Sequence, residues 1–522
     1  MANREPIEMW HPYGSRTPDH ASRTRQVVVP LSLSRIHVLN TLPVTNDGRF
    51  VLYWMVTARR LRFNFALQHA VAFANTLRLP LVILEALRCD YPWANDRLHA
   101  FALEGMAANA SGIDDSSVVY YPYVEPRRHQ ARGLLRSLSA HAAVIVTDFH
   151  PGFFIPRMLA SAAQQAKCRL EAVDSNGLIP LADHGRAFPT ARGYRAFVQR
   201  SLRTSLQNFP ESDPLRSLSP RSAAADIPSQ ILSRWPAAKM DVLRRPRQLV
   251  SSLPIDHSVA PVDMRGGPDR AAAQLRQFVA DGLPRYGEDS NHPDLDATSR
   301  LSPYLHFGHI SAHEVFAAVM TAERWTTRKL SGAARGAREE WWGTSPSAEK
   351  FLDQLVVWRE LAFNGSHYIP HFGTYPTLPA WARQTLEKHQ SDRRPYVYDL
   401  QTLEAAATHD PVWNAAMHQL KREGWFHGYM RMLWGKKILE WSNTPDSALV
   451  VMEQLMNRYS LDGRDPVSYA SYGWVLGLYD RPWPERPVFG VVRAMTSESA
   501  RRKLKLKNYL ATFSTGDEPL HP

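Results

Sequence analysis

The chain has 522 residues, of which 44% are apolar and 21% charged, which predicts a globular protein of two or three domains and excludes wholesale disorder. No apolar stretch is long enough to span a bilayer, and the first 26 residues show no secretory pattern, so we expect a cytoplasmic protein. The two cysteines are too few for a disulfide framework or a cysteine-ligated metal centre, and we expect no metal site. The net charge of +12 fits either a polyanionic partner or a generally basic surface.

The N-terminal part of the sequence predicts an α/β domain. Residues 1–34 are rich in Pro, Ser, Arg and His without periodicity, which predicts a flexible arm. From 35 to 204, short β-rich runs alternate with stretches of helical spacing. The predicted strands are 35–40, 50–55, 81–87 and 142–147, and the predicted helices are 58–77 and 157–166. This alternation predicts a doubly wound parallel sheet that binds ligands at its carboxyl edge.

The rest of the chain predicts an all-α domain. Residues 205–263 are rich in Pro, Ser and Arg and are interpreted as a connector. Residues 264–510 form the predicted helical domain, followed by a tail at 511–522. The predicted helices are 269–281, 310–323, 351–363, 413–423, 428–441 and 445–458. Between them, residues 322–346 are basic and aromatic and are predicted to be a surface insertion.

Three clusters carry candidate chemistry. The run Thr298, Ser299, Arg300, Leu301, Ser302 stands at a predicted helix start, where hydroxyls and free N–H groups suit a phosphate, although an ordinary N-cap is the commoner explanation.

The second and third clusters also have both a functional and a purely structural explanation when each is taken alone. Trp413, Trp434 and Trp441 lie in predicted helices, and the last two are seven residues apart, so they share one face. Such rings usually fill a core, but indoles also relay electrons. The turn 461–466 either clamps a polar ring or is simply solvated.

Six sequence blocks, taken in order, resemble class II DNA photolyases, which belong to the photolyase and cryptochrome family. The blocks are 51–55, 91–95, 301–308, 427–441, 461–466 and 480–490. The likeness runs from about 35 to 505 and is most specific at its C-terminal end. The connector and residues 325–342 fall outside it.

The resemblance implies an N-terminal antenna domain and a helical domain that binds FAD in a bent form. It implies that Tyr286 and the run from Thr298 to Ser302 hold the FAD phosphates. Arg431 and Asp462 would then sandwich the isoalloxazine ring system, with Gly463 and Arg464 beside it. A second, antenna chromophore of the deazaflavin or folate type is also implied, and the sequence does not identify it.

The implied activity is the light-driven splitting of cyclobutane pyrimidine dimers that are flipped out of DNA. Trp358, Met432 and Trp474 would line the lesion pocket, because stacked rings suit aromatic walls and a soft thioether. Trp413, Trp434 and Trp441 fall at the spacing of the family's electron-transfer chain. Basic segments at 324–338 and 501–507 are candidates for contacts to DNA phosphates, and we expect a monomer.

Two positions depart from the family's pattern. Four residues before Trp358, where the family carries a Glu that hydrogen-bonds the pyrimidine, this chain has Gln354. Six residues before Asp462, where an Asn is expected to face the FAD ring, it has Met456. A neutral Gln still makes a hydrogen bond, whereas a thioether cannot replace the amide. These changes predict dimer repair at reduced efficiency.

Two other functions remain open from the sequence. A cryptochrome-like photoreceptor or redox protein would keep the FAD and the tryptophans but lose efficient repair. A purely structural DNA-binding protein is the weakest reading, because the arginine–aspartate clamp would then have no purpose.

Overall fold

The computed structural model describes residues 31–113, 117–219 and 224–515. Most of the predicted arm at 1–34, and residues 516–522 of the predicted tail, lie outside these ranges. The helical domain's predicted end at residue 510 falls inside a helix that continues to Thr512. Within the described residues, no helix is both long and apolar enough to cross a membrane.

One twisted sheet organises the first part of the chain, and its strand order is β1-β6-β5-β2-β3-β4. All neighbouring strands are parallel except β1, which pairs with β6 in the antiparallel sense. The strands are β1 Ile36–Val38, β2 Phe50–Met55, β3 Leu81–Leu87, β4 Val118–Val124, β5 Ala142–Phe149 and β6 Arg169–Asp174. The predicted doubly wound α/β fold is therefore confirmed.

Helices cover the sheet and link it to the second part of the chain. They are α1 Phe65–Leu77, α2 Asp96–Ser111, α3 Leu134–Ser139, α4 Ile155–Gln165, α5 Ala191–Ser205, α6 Ser229–Arg234, α7 Met240–Leu243 and α8 Pro246–Val250. Helix α1 begins later than the predicted residue 58, because the Asn64 side chain accepts a hydrogen bond from the N–H of Leu67 and caps the first turn there.

The second part of the chain is helical, as the sequence predicts. Its helices are α9 Pro268–Gln277, α10 Tyr286–Asp289, α11 Ser302–His306, α12 Ala312–Ala322, α13 Pro346–Leu352, α14 Arg359–Tyr368, α15 Ala380–Lys388, α16 Leu400–Glu404, α17 Pro411–Glu423, α18 Gly428–Trp441, α19 Pro445–Tyr459, α20 Pro466–Val475, α21 Ser497–Lys503 and α22 Lys507–Thr512. The predicted helix 351–363 is interrupted by a π-helical segment, Asp353–Trp358, between α13 and α14.

The two parts are joined by a buried arginine. Arg97 of α2 is 5% exposed, and its guanidinium donates to the carbonyl oxygens of Leu420, Lys421 and Tyr459. These carbonyls belong to the last turns of α17 and α19, where helix carbonyls run out of intrahelical donors, although the Leu420 carbonyl also accepts from the N–H of Gly424. The contact fixes the helical part against the sheet and so holds the walls of the site described next.

The prediction of a surface insertion at 322–346 is wrong for its aromatic residues. Trp341 and Trp342 are each 4% exposed and belong to the main hydrophobic core. Trp325 packs against that core, and its indole N–H donates to the carbonyl oxygen of Trp342 at 2.7 Å. Apolar burial of these rings holds the segment against the body of the protein.

Candidate functional site

A cavity of about 640 Å³ opens in the helical part of the chain. Its walls come from α10, the residues before α11, the π-helical segment, α18 and α20. It brings together most of the site residues predicted from the sequence, namely Tyr286, Thr298, Ser299, Arg300, Leu301, Ser302, Gln354, Trp358, Arg431, Met432, Asp462 and Trp474. Its volume lies within the usual range for ligand pockets, about 300–1,000 Å³.

One wall offers unused hydrogen-bonding groups. The hydroxyl of Thr298 is buried and has no hydrogen-bond partner among the described residues. Arg300, with a φ of 51°, adopts the left-handed conformation that is rare outside glycine, and strained backbone of this kind concentrates at ligand sites. Burial raises the pKa of Tyr286 to about 12, so its hydroxyl remains a donor at neutral pH. This wall fits a phosphate or diphosphate.

A second wall carries a buried ion pair. One terminal nitrogen of Arg431 lies 3.0 and 3.1 Å from the two carboxylate oxygens of Asp462. Burial alone would raise the pKa of Asp462, but Arg431 and the hydroxyls of Ser302 and Ser460 outweigh it and hold that pKa below its ordinary value. The Nε of Arg431 is buried and has no hydrogen-bond partner in the part of the chain that the structure describes.

The direct contact makes Arg431 and Asp462 one polar surface for a ligand in the cavity. That the two residues hold a ring system between them stays a prediction.

Three predicted residues lie behind the cavity wall. Met456 is fully buried and does not line the cavity. A Cβ atom on Gly463 would lie 2.3 Å from the Met456 carbonyl oxygen, so this close approach requires glycine. The guanidinium of Arg464 donates to the carbonyl oxygens of Asn457 and Leu461. Gly463 and Arg464 therefore shape the turn that places Asp462.

The remaining wall is formed by aromatic rings, a methionine thioether and a neutral amide. Gln354 lies on the π-helical segment with its side chain exposed to the cavity, and Trp358, Met432 and Trp474 also line it. Such π-helical segments are frequent at functional sites. The arrangement suits flat, stacked rings that need one hydrogen bond from a neutral amide.

The sequence did not single out Lys436, which supports this wall. Its ammonium lies 5.0 Å from the centre of the Trp474 ring and donates to the carbonyl oxygen of Val475. Burial lowers the pKa of Lys436 to about 7. A usable signal was its position four residues after Met432, which puts both side chains on one face of α18.

The three predicted relay tryptophans are buried and in contact. The ring centres of Trp413 and Trp434 are 6.3 Å apart with nearly parallel planes, and those of Trp413 and Trp441 are 5.6 Å apart. Phe426, which lines the cavity, packs edge-on against Trp434 at 5.8 Å. One aromatic layer therefore separates this cluster from the cavity.

Comparison with known proteins shows long matches to photolyases. A deoxyribodipyrimidine photo-lyase of Methanothermobacter thermautotrophicus is 32% identical over 477 residues, covering 91% of this chain and 97% of that protein. Proteins of the same name from Arabidopsis thaliana and Potorous tridactylus are 32% and 29% identical, covering 88% and 90% of this chain and 88% and 82% of their own length. No protein-family model matches the chain.

A solved structure agrees at the level of the fold. The class III photolyase from Agrobacterium tumefaciens superposes with a TM-score of 0.61, covering 89% of this chain and 86% of that chain at 18% identity. The sequence match is the stronger observation, because it runs through nearly the whole of both chains. The chain therefore belongs to the deoxyribodipyrimidine photo-lyase family.

Proposed function

We propose that this protein binds FAD in the cavity and splits cyclobutane pyrimidine dimers in DNA under light. The observation that carries the proposal is one cavity that combines a phosphate-suited wall, a buried arginine–aspartate pair and an aromatic wall. A second, antenna chromophore of the deazaflavin or folate type is part of the proposal and rests on the family likeness alone.

The cofactor end of the cavity is the better defined. Thr298 and Tyr286 would donate hydrogen bonds to the FAD phosphates, and Arg431 would use its free Nε toward the ring system. The unpartnered donors fit this group, because they are satisfied only when an acceptor enters. Bound FAD would supply light absorption and one-electron chemistry, for which side chains have no substitute.

The substrate end would receive two adjacent, covalently linked pyrimidines of one strand, turned out of the duplex. Trp358, Met432 and Trp474 line this end and would offer two indole rings and a thioether to the stacked pyrimidines. The Gln354 amide would donate to a pyrimidine carbonyl oxygen. Because the Gln354 amide has no acidic proton to share with the dimer, it would stabilise negative charge there less than a protonated Glu does. We therefore propose repair at reduced efficiency.

Replacing Trp434 by Phe should slow the light-driven reduction of bound FAD, because a phenyl ring is much harder to oxidise than an indole. The Trp434 indole N–H has no hydrogen-bond partner among the described residues, so the variant loses no hydrogen bond and should fold. Flavin absorbance under illumination measures the rate. Trp341→Phe is the matched control, because Trp341 is buried outside the cluster and its indole N–H also has no partner among the described residues. An unchanged rate in Trp434→Phe would assign the three rings to the core alone.

Binding to DNA should weaken strongly as salt rises, because cationic side chains on phosphates release condensed counterions. The exposed basic face of α21, with Arg501, Arg502 and Lys503, is one candidate surface. Titration of a dimer-containing duplex at several salt concentrations measures the slope. Affinity that stays flat between low and moderate salt would argue against phosphate contacts and favour the photoreceptor alternative.

The experiment that tests the proposal is repair of a thymine dimer in an oligonucleotide by FAD-loaded protein, in light and in darkness. We expect repaired product in light only. If FAD and DNA bind but no product forms, a cryptochrome-like photoreceptor or redox function replaces repair. That second candidate is favoured by one observation, the neutral Gln354 exposed to the cavity where the family carries a carboxylate.

A further inference from the structure

Residues 324–345, called the strap below, form an ordered element that the family blocks do not include. Its end is fixed by Glu323, whose carboxylate accepts from both the N–H and the hydroxyl of Ser345. Its aromatic part is fixed by Glu349, whose carboxylate accepts from the N–H groups of Glu340, Trp341 and Trp342 at 2.8, 2.8 and 3.0 Å. Two buried tryptophans and two carboxylates thus hold the strap in one conformation.

The strap also forms hydrogen bonds to helix α5 of the sheet-containing part. Gln199 accepts from the N–H of Gly336 at 2.7 Å and donates to the carbonyl oxygen of Ala337 at 2.9 Å. Gly336 has a φ of 73°, and a Cβ there would lie 2.5 Å from the Arg192 carbonyl oxygen, so this contact needs glycine. The strap therefore bridges the two parts of the chain beside the cavity.

The strap positions Arg338 at the cavity. Arg338 lines the cavity, its side chain is 54% exposed, and its Nε lies 3.6 Å from a carboxylate oxygen of Asp353. Arg195 of α5 already bonds both oxygens of that carboxylate, at 2.8 and 3.2 Å. Neutralising Asp353 does not require a second guanidinium, so Arg338 brings positive charge that the protein itself does not balance there.

Other groups at the same end of the cavity suit an anion. Lys350 lines the cavity, and its ammonium donates to the carbonyl oxygen of Gly287 and lies 5.8 Å from the centre of the Tyr286 ring. Arg338 and Lys350 line the same cavity, and burial together with repulsion from Arg338 lowers the pKa of Lys350. Around the whole cavity, cationic lining residues outnumber carboxylates six to three.

We propose that Arg338 forms a phosphate-binding site with Lys350 and the Tyr286 hydroxyl, and that the strap is the element that builds this site. The inference rests on the proposed function, because the phosphate would be either the diphosphate of FAD or a phosphodiester of the DNA strand. Arginine suits this role, since its planar fork can bond a phosphate while its other edge faces Asp353. Asp353 would hold the guanidinium in place, and the exposed half would meet the ligand.

The test compares Arg338→Gln with Arg335→Gln, which removes the same charge from an exposed strap position that does not line the cavity. Arg195 still pairs with Asp353 in both variants, so both should fold, and thermal unfolding checks this. The affinity for FAD is measured by titrating apoprotein, and the affinity for a short duplex with one thymine dimer is measured at several salt concentrations. Arg338→Lys should give intermediate values.

Each outcome has a distinct meaning. If Arg338→Gln weakens FAD binding about tenfold or more and leaves the salt dependence of DNA binding unchanged, the site holds the cofactor diphosphate. If FAD affinity is unchanged and the slope of log DNA affinity against log salt concentration falls in magnitude by about one, the site holds a DNA phosphate. If Arg338→Gln behaves like Arg335→Gln in both measurements while wild-type protein binds FAD and repairs dimers, the inference is wrong. Wild-type protein that binds neither ligand would instead refute the proposed function.

Discussion

Arg431→Ala should lose most of its affinity for FAD while remaining folded. The variant removes a charged donor whose buried Nε has no partner within residues 31–113, 117–219 and 224–515. A hydrogen bond to a charged group contributes about 1.5–3 kcal/mol. Expressed in binding, this is roughly a tenfold to 150-fold weaker complex. Flavin fluorescence on titration of apoprotein measures the change.

The variant also leaves Asp462 buried without its cation, which destabilises the fold by an amount that must be separated from the binding effect. The double variant Arg431→Ala with Asp462→Ala removes that unpaired charge. It should recover thermal stability but should not recover FAD affinity. Arg422→Ala is the matched control, because Arg422 lies on the neighbouring α17 and does not line the cavity. Undiminished FAD affinity in Arg431→Ala would mean that the ion pair serves the fold alone.

Gln354→Glu should raise the rate of dimer repair. A carboxyl group at this position can offer a proton or a charge-assisted bond to the dimer, and the gain over a neutral amide is about 1.5–3 kcal/mol in a dry pocket. If all of it lowers the barrier, repair rises by roughly one to two decades. The measurement is repaired product per absorbed photon, with protein saturated in FAD and DNA.

Gln401→Glu provides the control for this variant, since it makes the same charge change on the exposed face of α16. The sequence suggested that Met456→Asn would add a further gain. The structure argues against this, because Met456 is fully buried behind Gly463 and an amide there would need new partners. Native protein that already repairs at the efficiency of Gln354→Glu would show that Gln354 does not limit the reaction.

The fold could be predicted from the sequence because its pattern is local. Apolar strands at 50–55 and 81–87 coincide with β2 and β3, and Gly428–Trp441 was predicted to the residue. Strand β4 was missed because Pro122 interrupts its apolar run. Strand β6 was missed because three of its six residues are charged, so it lacks the apolar run that marks the other buried strands. The π-helical segment follows from no local rule, since its sequence continues an ordinary helical pattern.

The site could be predicted where its residues form continuous motifs or fall at the positions that the family likeness implies. Thr298 to Ser302 and the turn at Asp462 were found this way, and the structure brings both to one cavity. Arg195 and Asp353 are 158 positions apart, and their contact depends on how α5 packs against the helical part. Tertiary packing of this kind leaves no trace in local spacing, which is why Arg338 looked like one more charge on a basic loop.

The claim at the centre of this account is that the cavity holds FAD, and the flavin content of the purified wild-type protein tests it most directly. The protein is denatured, and the released flavin is quantified by its visible absorbance against the protein concentration. We expect one non-covalently bound FAD per chain, either as purified or after incubation with added FAD. A colourless protein that takes up no added FAD would contradict the account.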